Sequence, residues 1–361
     1  MPPLSIMVKP ASSLCNLRCR YCFYHDVSAH RALPSFGRMT GETAEMLIRK
    51  ALDFANGESV AFTFQGGEPL LAGLAFFRRF VQTVKAFNQK NSPIFFGLQT
   101  NGTLLTDAWA DFFRENDFLI GLSLDGDRPM NRFRVDANGK NTYGKIMDAA
   151  GILQAHKVRF NILTVLTGAC ADNIDTVWNS FVQKGFRYLQ FIPCLRPFGD
   201  KSESALYMTE RQYARFLIHG FNAYVREYVR GNYISVRYFD NLVRLYLGDP
   251  PEQCGMCGHC MHQFVAEGNG NIYPCDFYCT DTWLLGNIRE TDFDTLAHSE
   301  RATAFLRESL AVPDACKACK YYALCRSGGC KRMRQDRNYC AAYKAFFDSC
   351  LPLFRVFLHE K

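Results

Sequence analysis

The sequence predicts an α/β protein: a partial (β/α)6 barrel, TIM-like but incomplete, followed by a smaller cysteine-rich domain. Three observations carry this. Apolar, β-rich runs of five to seven residues recur at Ser5 to Lys9, Val60 to Phe64, Ile94 to Gln99, Phe118 to Ser123, Arg159 to Val165 and Tyr188 to Ile192, with helix-period segments between them. Polar, glycine-bearing tags follow three of these runs: QGGEP (65–69), TNG (100–102) and SLDG (123–126). After about residue 205 this rhythm stops, and eleven of the 16 cysteines crowd into the remaining chain.

Each segment has a local reason. GETAEMLIRKALDFA (41–55) and FFRRFVQTVKAFNQ (76–89) carry apolar residues at i, i+3 and i+4 with charges between, the pattern of amphipathic crossovers between parallel strands. Six such units imply a parallel sheet curled into part of a barrel. The loops after the carboxyl ends of its strands form the ligand site in folds of this kind, so the three tags should share one mouth. MTERQYARFLIHGFNAYVREYVRG (208–231) reads as helix, and Phe264 to Ala266 and Asn271 to Tyr273 as short strands around the turn EGNG. A tail so poor in long periodic apolar structure is expected to be held by ligated metal more than by a core. The expected domains are residues 1–235 and 236–361.

Composition narrows the class. At 48% hydrophobic and 21% charged residues the chain is globular. The start MPPLSIMVKPASS lacks the basic and apolar regions of a secretion signal, and no run approaches ~18 apolar residues, so a cytoplasmic protein is expected. Sixteen cysteines in a reducing compartment point to metal or redox chemistry rather than disulfides. The net charge of +7 is scattered, its densest run being KRMRQDR at 331–337, so neither a nucleic acid nor a membrane is an expected partner. Cluster ligands are thiolates. Eleven of them holding three iron–sulfur cores would bring the net charge to about +2.

The chemistry concentrates first in CNLRCRYCFY (15–24), where Cys15, Cys19 and Cys22 lie at CxxxCxxC spacing. A four-iron, four-sulfur cluster takes four thiolates, so three leave one iron open to a small molecule. A zinc loop completed by His25 or His30 is the alternative reading of the loop alone. With its trailing aromatic, the stretch resembles the signature of the radical S-adenosylmethionine (SAM) enzymes, and QGGEP resembles their GGE motif. That resemblance implies that SAM binds the open cluster and is cleaved to a 5′-deoxyadenosyl radical. It places cofactor contacts on Tyr21, Gly67, Ser123, Arg134 and the Leu195 backbone. The loop DGDRPMNRFRVD around Arg134 is one residue shorter than the family spacing.

The tail resembles a SPASM domain, which implies two auxiliary 4Fe-4S clusters in addition to the open one. Cys254, Cys260, Cys275 and Cys330 would hold the first, and Cys316, Cys319, Cys325 and Cys340 the second. Cys257, within CGMCGHC, is an alternative ligand, and for the tail alone a zinc ribbon is an alternative framework. KPASSLCNLRCRYCFYH, FQGGEPLLAG, LQTNGTL, LQFIPCL, SVRYFD, YPCDFY and LGNI together resemble the anaerobic sulfatase-maturating enzymes. The implied reaction is oxidation of a cysteine or serine in a sulfatase peptide to Cα-formylglycine, with Asp276 as base and a ferredoxin or flavodoxin as external electron donor. A carboxylate beside a thiolate cluster should have its pKa raised. The plain reading of Asp276 is a turn residue. Tyr24, Gln65 and Gln99 are candidate substrate contacts or barrel-mouth packing. Cys170, Cys194, Cys279 and Cys350 have no partner spacing and read as buried small hydrophobes. Two other readings stand: a maturase that crosslinks or epimerises a ribosomal peptide, and a non-enzymatic ferredoxin-like carrier. The carrier reading would require neither GGEP nor an open cluster.

Overall fold

The computed structural model describes residues 4–336 and 339–360. The first three residues of MPPLSIMVKPASS and the final arginine of KRMRQDR lie outside the described residues. The strands are β1 (Leu4–Val8), β2 (Val60–Phe64), β3 (Ile94–Thr100), β4 (Leu119–Ser123), β5 (Phe160–Leu166), β6 (Tyr188–Pro193), β7 (Ser235–Val236), β8 (Phe264–Ala266), β9 (Asn271–Tyr273) and β10 (Gly286–Asn287). The six runs read from sequence are β1 to β6. Among the described residues no pairing closes the strands into a ring.

The chain forms two compact units. The first comprises residues up to Ser123, Arg134–Phe160 and His262–Phe305. Its strands run in the order β10-β9-β8-β1-β2-β3-β4. The pairings from β8 to β4 are parallel, and those of β8 with β9 and β9 with β10 are antiparallel. On β2, Val60, Phe62 and Phe64 are fully buried. Phe62 and Phe64 meet the Phe80 ring edge-on at 5.3 and 5.0 Å, and each such phenylalanine contributes roughly 1.5–3 kcal/mol of burial. The helix Gly41–Ala55 forms where the sequence pattern requires it. Thr40 caps its first turn by accepting the Thr43 N–H at 3.1 Å. Ala44, Leu47, Ile48, Ala51, Leu52 and Ala55 make its buried stripe, and Asn56 ends it in the left-handed region at φ 49°.

The second unit comprises Leu124–Phe133, Asn161–Met261 and the chain from Leu306 on. It holds the parallel strands β5-β6-β7 and the helix Glu210–Val229, which opens on a Thr209/Gln212 capping box. Against that helix lies Cys340–Cys350, with Phe221 meeting the rings of Phe346 and Phe354 at 5.4 and 4.5 Å. Its end therefore has an aromatic core of its own. Phe346, Phe347 and Phe354 are fully buried, a core that the sequence pattern of the tail did not announce.

Candidate active site

Register builds the site in the first unit. β1 pairs β2 with Val8 opposite Phe64, and on its other side pairs β8 with Val8 opposite Ala266. The next residue on each strand is Gln65, Lys9 and Glu267, so these three stand in a row at the carboxyl ends. Backbone bonds continue the ladder, Gln65 N–H to Val8 C=O at 3.0 Å and Lys9 N–H to Ala266 C=O at 2.8 Å. β9 then returns antiparallel from the EGNG turn and delivers Cys275 and Asp276 at its end.

Asp276 is 7% exposed and has three partner groups around it. Its Oδ2 accepts the Tyr24 hydroxyl at 2.6 Å and the Gln65 amide at 3.1 Å, and the Gln65 amide also bonds the Tyr24 oxygen. Its Oδ1 lies 2.9 Å from the Lys9 ammonium yet receives no directed hydrogen bond. Lys9, 2% exposed, also lies 3.7 Å from Glu267 and donates to the Cys279 sulfur at 3.3 Å. Arg31 closes the array on Glu267 at 2.6 Å. Burial alone would lower the Lys9 pKa; Asp276, then Cys279 and Glu267, more than offset it and hold the ammonium above its ordinary value. Burial, reinforced by Asp276, raises the Tyr24 phenol well above its ordinary value. Burial also pushes the Cys279 thiol up to about 12. Cys279 is thus a buried hydrophobe that also accepts a hydrogen bond. The sequence placed only a thiolate beside Asp276; the structure adds a cation at ion-pair distance.

Beside this array sits the three-cysteine loop. Burial pushes the Cys15 thiol up to about 11, opposed by the Leu17 N–H at 3.4 Å, and ligation would reverse that by removing the proton. Asn101, from the TNG tag, reaches the Cys15 sulfur at 3.9 Å and bonds Asn16 at 2.9 Å. The GGE segment is threaded against the same loop, with Gly67 N–H bonded to Ser12 and Glu68 N–H to Leu14. A Cβ on Gly67 would come within 2.0 Å of the Leu14 carbonyl, so only glycine fits. Glu68, 1% exposed, receives the Thr100 hydroxyl and Asn101 N–H, both at 2.8 Å, which ties two of the sequence tags together. Burial raises its carboxyl to about 7. Arg134 is buried and stacks on the Tyr21 ring at 5.4 Å, joining two of the expected cofactor residues. Ser123 ends β4. A three-thiolate cluster and SAM fit the residues present: the three cysteines of one loop, and a backbone cradle that a side chain would fill.

In the second unit, Leu195 is buried just past the end of β6. Burial pushes Cys254 up to about 12, with Cys330, Cys260 and Cys257 as the cysteines beside it, in that order. Cys260 likewise neighbours Cys330, and Cys257, beside Cys254, also faces Arg326. Cys325, pushed up to about 11 by burial, has Cys340, Cys316 and Cys319 around it. Cys254 thus has Cys330, Cys260 and Cys257 as neighbours, and Cys325 has Cys340, Cys316 and Cys319. Cys275 belongs to the first unit. Cys170, Cys194 and Cys350 are buried.

Comparison with known proteins gives this geometry its context. A family model of the radical SAM superfamily matches residues 10–180, and one of an iron-sulfur cluster-binding domain, SPASM, matches residues 254–320. A cysteine-type anaerobic sulfatase-maturating enzyme of Clostridium perfringens (strain 13 / Type A) is 41% identical, over 98% of this chain and 97% of the relative. The chain belongs to the anaerobic sulfatase-maturating enzymes. A serine-type relative from Bacteroides thetaiotaomicron is 31% identical, over 97% of this chain and 90% of its own. The solved structure described as native anSMEcpe with bound AdoMet superposes with a TM-score of 0.95 at 40% identity, covering 99% of this chain and 100% of that one.

As a sulfatase-maturating enzyme the chain is a radical SAM oxidoreductase with iron–sulfur and SAM cofactors that acts on a peptide. Among the described residues no helix is long and apolar enough to cross a membrane. Of this array, Tyr24, Gln65 and Asp276 carried a sequence signal and Cys279 was read as a buried hydrophobe, which it is, while Lys9, Arg31 and Glu267 went unread. The available signal was a charged residue directly after an apolar run, as in SIMVK and FVAE. Both places are where a strand meets the mouth.

Proposed function

We propose that this chain converts a cysteine in a sulfatase active-site peptide to Cα-formylglycine, with Asp276 as the base. The observation that supports it is the buried Asp276 carboxylate, held through Oδ2 by Tyr24 and Gln65 and facing Lys9 through an Oδ1 that accepts no directed hydrogen bond. When bound, the open cluster and SAM would supply one-electron hydrogen abstraction at the substrate Cβ, and the auxiliary clusters would supply an acceptor for the second electron. The chain's own part is acid–base and positional. Oδ1 of Asp276 takes the thiol proton, the carbon–sulfur bond becomes double, and water hydrolyses the thioaldehyde to the aldehyde with release of hydrogen sulfide.

Cys15, Cys19 and Cys22 would hold the open cluster, with Tyr21, Gly67, Ser123, Arg134 and Leu195 around SAM. The neighbours of Cys254 support Cys254, Cys260 and Cys330 in the first auxiliary cluster, with Cys275 as fourth ligand and Cys257 as the alternative, and the neighbours of Cys325 support Cys316, Cys319, Cys325 and Cys340 in the second. Residues 1–235 carry the radical chemistry, and 236–361 the auxiliary clusters. The substrate is a segment of an unfolded or partly folded sulfatase, the electron donor an external ferredoxin or flavodoxin, and the compartment the cytoplasm. A cysteine rather than serine substrate is favoured by identity to cysteine-type relatives of 41% against 31% to a serine-type one. The test supplies reconstituted protein anaerobically with SAM, reductant and a sulfatase peptide carrying a CxPxR core or its serine counterpart. Formylglycine from the cysteine peptide, with Asp276→Asn making 5′-deoxyadenosine but no aldehyde, is expected. Deoxyadenosine with neither peptide altered would move the chain to the ribosomal-peptide maturases.

A further inference from the structure

We propose that Lys9 is a positioning residue for this oxidation, its ammonium fixing the orientation of Asp276 while Glu267 and Arg31 hold that ammonium from behind. The inference rests on Asp276 as the base. Three observations lead to it.

Charge comes first. Lys9, Arg31, Glu267 and Asp276 are all buried and form a continuous chain of contacts: 2.9 Å from Asp276 to Lys9, 3.7 Å from Lys9 to Glu267 and 2.6 Å from Glu267 to Arg31. Two basic side chains face two carboxyl side chains, so their formal charges balance within the array. Removing one member would leave a buried charge without its partner. Direction comes second. The two oxygens of Asp276 are treated differently: Oδ2 is bound by Tyr24 and Gln65, while Oδ1 faces Lys9 without a directed hydrogen bond. An ammonium pulling on Oδ1 opposes the two donors on Oδ2, and the balance fixes the carboxylate's rotation while Oδ1 remains able to accept a thiol hydrogen. Placement comes third. The Lys9 ammonium lies over the Tyr24 ring at 4.8 Å and donates to the Cys279 sulfur at 3.3 Å, so acceptors surround it and it has no route to solvent. A lysine kept so far from water is otherwise a liability in a strand, and methionine would fill the same volume without charge.

A purely structural Lys9 would only fasten β1 to β8. The two roles separate in the ratio of formylglycine to 5′-deoxyadenosine, because radical generation does not need the base and product formation does. In Lys9→Met, deoxyadenosine formation is expected within about twofold of the parent, formylglycine per deoxyadenosine about tenfold lower, and KM for the cysteine peptide changed less than about threefold. Lys9→Arg, which keeps the charge, should recover part of the ratio. Glu267→Gln, which takes one carboxylate from Lys9, should lower the ratio about threefold; it reads the same effect if Lys9→Met fails to assemble its iron. A parental ratio in Lys9→Met, or in Glu267→Gln where the former does not fold, overturns the proposal. Asp276→Asn keeps the two failures apart. Undiminished product in Asp276→Asn removes the base itself, whereas lost product there with parental ratios in the Lys9 and Glu267 variants removes only the positioning role.

Discussion

Tyr24 holds Asp276 through a single hydroxyl, at 2.6 Å, so Tyr24→Phe removes one hydrogen bond to a carboxylate and little volume. Such bonds are worth roughly 1.5–3 kcal/mol, so formylglycine formation by Tyr24→Phe should fall about ten- to a hundredfold, while 5′-deoxyadenosine persists. Both are read by mass spectrometry of one reaction. Gly67 behaves differently because its constraint is steric. The 2.0 Å approach that a Cβ would make to the Leu14 carbonyl displaces the backbone that carries Cys15. Gly67→Ala should therefore fold with its auxiliary clusters but lose SAM cleavage, with about four fewer irons on reconstitution. Retained cleavage would mean that the cradle yields more readily than its geometry implies.

Helix-to-helix fastenings on the outside of the first unit respond to pH. His156, at the end of helix Tyr143–Ala155, bonds Asp111 at 3.0 Å through one ring nitrogen and Asp107 at 2.8 Å through the other, both on helix Asp107–Glu115. These bonds raise its pKa above 6.5. Its folded-state pKa therefore exceeds the unfolded one, and its stabilisation is present in full below the unfolded value and lost as pH rises through the raised one. His156→Ala should flatten the decline of urea stability from about pH 6 to about pH 8; an unchanged decline would place that dependence elsewhere. Elements of this kind were legible in advance where one period dominates. The helix Gly41–Ala55 matches its sequence reading residue for residue, and β2 does too. What the sequence withheld is lateral order. No local pattern says that FVA at 264–266 will lie against β1 rather than beside other tail strands, and from that one pairing come the neighbours of Asp276. The expected cysteine groups came from a resemblance carried by short local motifs, whereas the Lys9 array depends on a pairing across most of the chain.

For the whole molecule, metal is the structural variable with the largest expected effect. Full reconstitution should give about twelve irons, and Cys340→Ala about eight, with SAM cleavage retained and formylglycine diminished. Iron analysis and product assay on one preparation check this. Chelation should loosen residues 313–330 first, since the helices Asp314–Lys317 and Tyr322–Cys325 bury no residue, while the aromatic contacts of Phe221 with Phe346 and Phe354 keep helix Cys340–Cys350 in place. The pairing of β1 with β8 has a consequence during synthesis. Tyr24 and Asp276 are separated by 252 residues, so a ribosome has released the cluster loop long before it makes the strand that completes the site. Until then one edge of β1 is open and Lys9 lacks its carboxylates. A chain stopped ahead of Glu267 should stay dependent on chaperones, and docking of β8, a contact of very high sequence separation, belongs among the last events of folding. The nascent protein would thus acquire its base only after the cluster loop and the strands β1 to β8 have been made, while five of its eleven proposed ligand cysteines, Cys316, Cys319, Cys325, Cys330 and Cys340, still follow in the chain.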